Sequence, residues 1–271
     1  MKFDHRLTIA FVALSGLWPA APDALGQDTL SELLSRLASE QFDESVLQAI
    51  EGHPPDPRIT PALEAAFGRR VAKSEKQEIA VTLLRLGDKS AEYFDFLAKY
   101  AREAVEDRTP CFIYVDANGR AVKGRFSPAF ENWCALNGKD PKSVAAVQIG
   151  VYPRDVLFLA RSQDPRAADL LRKGLDSPNP TVVAFSVEGL GRLQDAAAIP
   201  LIAKAYENLP EDGRVAVAME LPWYSSPEAY RLMERLVPDP KYRDFLAAEV
   251  QRLRLAESKR VLSRTGGVPQ R

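Results

Sequence analysis

From Gln27 onward, apolar residues recur three and four positions apart, the spacing that lines up one side of an α-helix. Leu30, Leu33, Leu34 and Leu37 fall on one such face. Val46, Leu47 and Ile50 mark a second helix ending near Gly52, and Pro54, Pro55 and Pro57 then mark a loop. Ile59, Leu63 and Phe67 open the next hairpin. Ile79, Leu83, Leu84 and Leu86 continue it to Gly87, and Tyr93, Phe94, Phe96, Leu97 and Tyr100 form the apolar face of the helix after that. The same grammar returns after residue 150. It predicts helices over 154–162, 165–175, 181–193, 198–208, 214–221, 227–237 and 241–257. Pro165 and Pro227 fall in first turns, where a missing N–H leaves no intrahelical bond unmade.

Corresponding positions recur at roughly 30 residues, within the range of helical-hairpin solenoids. Pro165 to Leu171, Ala198 to Ile202 and Pro227 to Met233 each open an equivalent helix. The clearest unit runs Ser177-Pro178-Asn179-Pro180-Thr181-Val182-Val183, then Glu188-Gly189-Leu190-Gly191-Arg192-Leu193-Gln194-Asp195, then Ala198-Ile199-Pro200-Leu201-Ile202. This segment resembles the HEAT-like repeat of the phycobilisome-lyase type, in which a helix ends Leu-Gly-x-Leu, an Asp follows, and the next helix begins Ala-Ile-Pro-x-Leu. Leu84-Arg85-Leu86-Gly87-Asp88 is a weaker copy. The resemblance is close over 176–236 and loose over 57–104. It implies an all-α fold, an α-solenoid of HEAT-like hairpins whose apolar stripes are covered by stacked neighbours. The glycine is expected to turn the chain between helices and the Asp to cap the next one. The bilin-lyase activity of some relatives is not implied, because no lyase residue set can be matched in this chain.

One stretch departs from the helical pattern. Cys111-Phe112-Ile113-Tyr114-Val115 is rich in strand formers, Asp116-Ala117-Asn118-Gly119 is a turn signal, and Ala121 to Phe126 follows. This predicts a small β-hairpin inserted over 106–140, with a short helix from Ser127-Pro128 to Cys134. An isolated hairpin is marginal in water. A disulfide between Cys111 and Cys134 would pin it, stabilising by about 3 kcal/mol in the chain-entropy picture. Trp133 would cover that bond; two unpaired buried thiols are the alternative.

The N-terminus is read as a targeting segment, not as fold. Lys2 and Arg6 precede an apolar run from Leu7 to Leu17, Pro19 and Pro22 break it, and Ala24-Leu25-Gly26 supplies small residues for cleavage before Gln27. The run is shorter than the ~20 residues of a spanning helix, so a membrane anchor is the weaker reading. The expected organisation is a signal peptide over 1–26, a helical block over 27–105, the hairpin insertion over 106–140, HEAT-like repeats over 141–258 and a flexible basic tail over 259–271. Export and the cysteine pair support each other.

Composition narrows function only a little. A formal net charge of -1 over 271 residues gives no general drive toward nucleic acid. His53, in a proline-rich loop, is the single histidine after residue 26 and has no second histidine with which to share a metal. No Gly-x-Ser-x-Gly elbow or phosphate-cradling loop is present. Asp116 to Gly119 lacks the further oxygen ligands of a calcium loop, and Glu40, Asp43 and Glu44 read as a solvated, capping cluster. No catalytic residue, cofactor or metal is assigned. Trp223 and Tyr224, in Pro222-Trp223-Tyr224-Ser225-Ser226, are the candidate partner-binding residues, with packing between hairpins as the alternative. The expected function is a non-enzymatic protein-binding scaffold of the envelope or secreted fraction. The alternatives are an enzyme with two carboxylates acting on a glycan or peptide, and a structural spacer.

Overall fold

The computed structural model describes residues 28–39, 43–107, 153–209 and 211–265. Among these residues there are α-helices and short 3-10 turns and no strand. We number the helices α1 (Leu30–Ala38), α2 (Glu44–Gly52), α3 (Ile59–Arg69), α4 (Lys73–Arg85), α5 (Ala91–Glu106), α6 (Arg154–Arg161), α7 (Ala168–Gly174), α8 (Pro180–Arg192), α9 (Ile199–Asn208), α10 (Glu211–Glu220), α11 (Pro227–Leu236) and α12 (Pro240–Thr265). The expected hairpin, with Cys111 and Cys134, lies outside the described residues, as does the expected signal peptide.

Local chemistry sets the helix starts. Thr29 and Glu32 form a reciprocal capping box on α1. The Asp43 carboxylate accepts from the backbone N–H groups of Ser45 and Val46 and caps α2, so one member of the acidic cluster does the capping expected of it. Ser90, Asn179 and Ser226 cap α5, α8 and α11.

The repeat is regular in space, with a register of 31 positions. Ala167, Ala198 and Ala229 are buried equivalents, as are Leu171, Ile202 and Met233, and Leu159, Leu190 and Leu221. Turns recur in the same register. Gln163 and Gln194 hold φ of 55° and 56°, and Gly87 holds 93° at the matching point of the first block. In these turns Asp88 N–H donates to Leu83 O at 3.0 Å and Asp195 N–H to Leu190 O at 2.9 Å, the six-to-one bond of a Schellman cap.

Two expectations about the repeat signature are corrected here. Gly191 lies inside α8 and does not make the turn; Gln194 takes the left-handed position. Gly191 instead supplies clearance, since a Cβ there would sit 2.7 Å from Trp223 Cβ. Asp195 makes no side-chain cap bond. Its carboxylate binds Arg172, with Nε at 2.8 Å and an Nη at 2.7 Å. Gly87 does serve as the turn glycine, because among the described residues only there does glycine itself occupy the positive-φ position.

The helices form two layers. Even-numbered helices pack in sequence, α2 on α4, α4 on α6, α6 on α8 and α8 on α10, while the odd-numbered helices flank them. Residues 108–152 separate α5 from α6 in the chain, yet α5 packs on α6 and α7, and α4 on α6. The two helical blocks on either side of residues 108–152 therefore form one continuous array. One buried apolar core runs from Leu30 to Leu246 through both blocks. The last helix, α12, does not continue the two-layer pattern: it contacts α11, the 3-10 turn Leu221–Trp223 and, at the other end of the array, α2.

Candidate interaction surface on the even-numbered helices

The even-numbered helices carry a series of buried ionic groups. Glu51 on α2 pairs with Arg85 on α4 at 3.3 Å and accepts from Thr82 Oγ1 at 3.0 Å. Asp155 on α6 receives Lys73 Nζ at 3.0 Å and Gln77 Nε2 at 2.6 Å, both from α4. Glu188 on α8 receives Arg192 Nε at 2.9 Å and lies 3.6 Å from Arg161 Nε on α6. Arg161 and Arg192 are repeat equivalents 31 positions apart, and Arg85 holds the same place before Gly87. Each pair ties one even helix to itself or its neighbour. Removing one partner of such a pair leaves a buried charge uncompensated.

At the end of the array the series closes on Trp223, which occupies the register position of Arg161 and Arg192. Its indole Nε1–H donates to Glu220 Oε2 at 3.1 Å, and the Arg192 guanidinium lies 3.8 Å from its ring centre. Burial pushes Glu220 up from the carboxylate range; the Glu188 charge adds to this and Arg192 opposes it. Gln194 Nε2 donates to Trp223 O at 2.8 Å, and Ser225 N–H donates to Gln194 Oε1 at 2.9 Å. The side chain at one turn thus clamps the next.

At the other end, α2 and α4 bring carboxylates together. Glu78 is pushed up to about 7, first by burial, then by Glu44 and Glu75; Arg154, at 3.4 Å, acts in the opposite sense. Helix α12 also packs on α2, and its Arg254 donates to Trp223 O and to Ser225 Oγ. Its 26 residues span roughly 39 Å at 1.5 Å per residue.

The sequence-predicted candidates are placed as follows. Trp223 and Tyr224 are buried, at 4% and 6% exposure, between α8, the 3-10 turn and α12. Burial pushes the Tyr224 hydroxyl up, with Asp195 adding to the shift and Arg172 opposing it. Exposed aromatics lie instead on the last two helices, Tyr230 at 58% and Phe245 at 42%. Tyr230 shares the register of Ala168 and Ile199, so nothing local marks it as exposed. His53 ends α2, with Nδ1 2.9 Å from Pro54 O. The basic tail expected from residue 259 is helical as far as Thr265, and Arg252 pairs with Glu249. Among the described residues no group of three or more His, Cys, Asp or Glu is arranged to hold a metal ion, and no helix is long and apolar enough to cross a membrane.

No curated protein matches the chain. Residues 182–208, which comprise most of α8, the following turn and α9, match the family model described as PBS lyase HEAT-like repeat. The match falls where the 31-residue register, the Schellman turn and the Arg192–Glu188 pair coincide, and the chain thus carries a HEAT-like repeat of the PBS lyase type within an array that is all-helical among the described residues.

Proposed function

We propose that the protein is an exported helical-repeat scaffold that binds another protein and performs no catalysis itself. The observation that carries this reading is the uninterrupted two-layer array, in which both helical blocks share one core and offer a long surface. Tyr230 and Phe245 supply exposed aromatic anchors of the kind that interfaces favour. Export rests on the Lys2–Gly26 segment. The inserted hairpin pinned by Cys111 and Cys134 belongs to the same proposal and suits an oxidising compartment.

The carboxylate-enzyme alternative is disfavoured by placement. Glu78 and Glu220, the two glutamates raised well above the carboxylate range, lie on α4 and α10 with α6 and α8 between them. That separates them by roughly 25–30 Å at 8–10 Å per helix, against the 5–9.5 Å of a glycosidase pair. Glu188 is nearer to Glu220, but both are buried and Glu188 is committed to Arg192.

The test is crosslinking in the native cell envelope followed by partner identification. A specific partner whose capture drops in a Tyr230→Ser/Phe245→Ser chain is expected. Absence of any reproducible crosslinked partner would refute the reading. Intact mass of the exported chain checks cleavage after Gly26, and thiol labelling without reductant checks the Cys111–Cys134 bond; two labelled thiols would refute that bond.

A further inference from the structure

The repeat register picks out a face of α11 that corresponds to a helix-stacking face and is left open. In the preceding repeat, Ile199, Ala203 and Tyr206 form a stripe along α9 at helical spacing. That stripe faces α11. The two helices pack together, the Tyr206 hydroxyl donates to Leu236 O at 3.2 Å, and Ile199 is 8% exposed. In the 31-residue register the equivalent stripe on α11 is Tyr230, Glu234 and Val237.

The stripe is closed at its Val237 end. Val237 is buried, and Arg243 Nη1 donates to Val237 O at 2.7 Å and to Pro238 O at 3.0 Å. Beyond that corner α12 packs on the 3-10 turn Leu221–Trp223 and on α2. Among the described residues α11 is the last odd-numbered helix, so no further one covers the rest of the stripe. Tyr230 is left 58% exposed, and Glu234 is exposed as well. Terminal repeats ordinarily present a polar outer face. A tyrosine at the stacking position of the last repeat departs from that rule.

The exposed charges of α11 suit the helix to a second copy of itself. Glu228, Arg231, Glu234 and Arg235 sum to zero. Glu228 pairs with Arg231 at 2.9 Å, whereas Glu234 and Arg235 make no ion pair among the described residues. Two such helices set antiparallel about their midpoints bring Glu228 of each toward Arg235 of the other on one flank. On the other flank the Tyr230 hydroxyl of each comes toward Glu234 of the other. A two-fold makes each of these contacts twice.

We propose that α11 is a self-association face, through which two copies of the chain pair across a two-fold with Tyr230 beside the second copy's Glu234. The proposal goes beyond the scaffold reading and does not rest on it. The contact is one helix face whose ion pairs are exposed, so association is weak and falls with added salt.

Sedimentation equilibrium of the full chain, from micromolar to near-millimolar concentration, reads its mass against the 30.0 kDa of the monomer. The wild-type mass is expected to climb toward twice that value. Glu228→Arg alone and Arg235→Glu alone each set like charges together at both symmetric contacts, and each should weaken pairing about ten-fold, as should Tyr230→Ser. Mixing the Glu228→Arg chain with the Arg235→Glu chain restores opposite charges at both contacts, so the mixture should associate as wild type does. All three positions are exposed, and circular dichroism confirms the fold of each variant. Val71→Ser, at a 96% exposed apolar residue between α3 and α4, should change nothing. A wild-type chain that stays monomeric, association that Tyr230→Ser leaves intact, or a mixture no stronger than either variant alone overturns the proposal. A monomer that captures a foreign protein only with Tyr230 present also overturns it and assigns the face to that protein. Partner capture with Phe245→Ser alone tests the scaffold reading separately.

Discussion

Replacing Gly191 by alanine sets two effects of similar size against each other. Alanine at an ordinary helical position is favoured over glycine by about 1 kcal/mol. At Gly191 the new Cβ would lie 2.7 Å from Trp223 Cβ, 3.2 Å from Tyr224 Cδ2 and 3.3 Å from the Trp223 carbonyl carbon. Trp223 has little freedom to retreat. Its ring is stacked by Arg192, its Nε1–H is held by Glu220 and its carbonyl accepts from Gln194. Overpacking of this kind costs about 1–3 kcal/mol, so the net expectation is a loss of about 1 kcal/mol. Gly68 is the matched control. It too is the penultimate residue of its helix, and a Cβ there would meet nothing within 4 Å. Gly68→Ala should gain up to about 1 kcal/mol from propensity alone. At 2–4 °C per kcal/mol for a chain of this order of size, the two variants should melt roughly 4–8 °C apart. Paired thermal and urea unfolding reads the difference. A Gly191→Ala protein as stable as wild type, or as stable as Gly68→Ala, would refute the view that this glycine provides clearance for the next repeat.

Three further outcomes follow from the same geometry. Gln163 and Gln194 share a positive φ, but only Gln194 is bonded to the next turn, so Gln163→Gly should stabilise by up to about 1 kcal/mol while Gln194→Gly destabilises, as read by urea midpoints. Arg85→Met should cost about 3–5 kcal/mol by leaving Glu51 buried and unpaired, whereas the double change with Glu51→Leu should recover much of it; equal losses in single and double variants would contradict the pairing. The folded chain holds the Glu78 proton more tightly than the unfolded chain, so its contribution is fully present below pH 4.5 and is lost as pH rises through about 7; Glu78→Gln should flatten the fall in unfolding free energy between pH 5 and pH 8.

Helix existence, layer-forming periodicity and the repeat were legible in the chain because each is a local pattern. Leu171, Ile202 and Met233 declare a buried stripe, and Pro165 and Pro227 mark helix starts, without reference to any distant residue. Pair partners were not legible. Nothing local says that Asp195 binds Arg172 instead of capping, that Gln194 takes the left-handed turn while Gly191 stays helical, or that Trp223 is sealed beneath Arg192. These outcomes depend on what the neighbouring repeat places at a distance of a few ångströms.

The candidate surface divides in the same way. Composition alone marked residues 259–271 as a flexible basic tail. Only the tertiary structure shows that the last helix packs on α2, because that contact joins elements far apart in the chain. The sequence by itself determined a stack of amphipathic helices repeating at roughly 30 residues, since burial of a helical stripe is encoded in spacing. Which helices close on one another, which charges are sealed and where the last helix lies were decided by the tertiary structure, since each depends on contacts between residues tens to hundreds of positions apart.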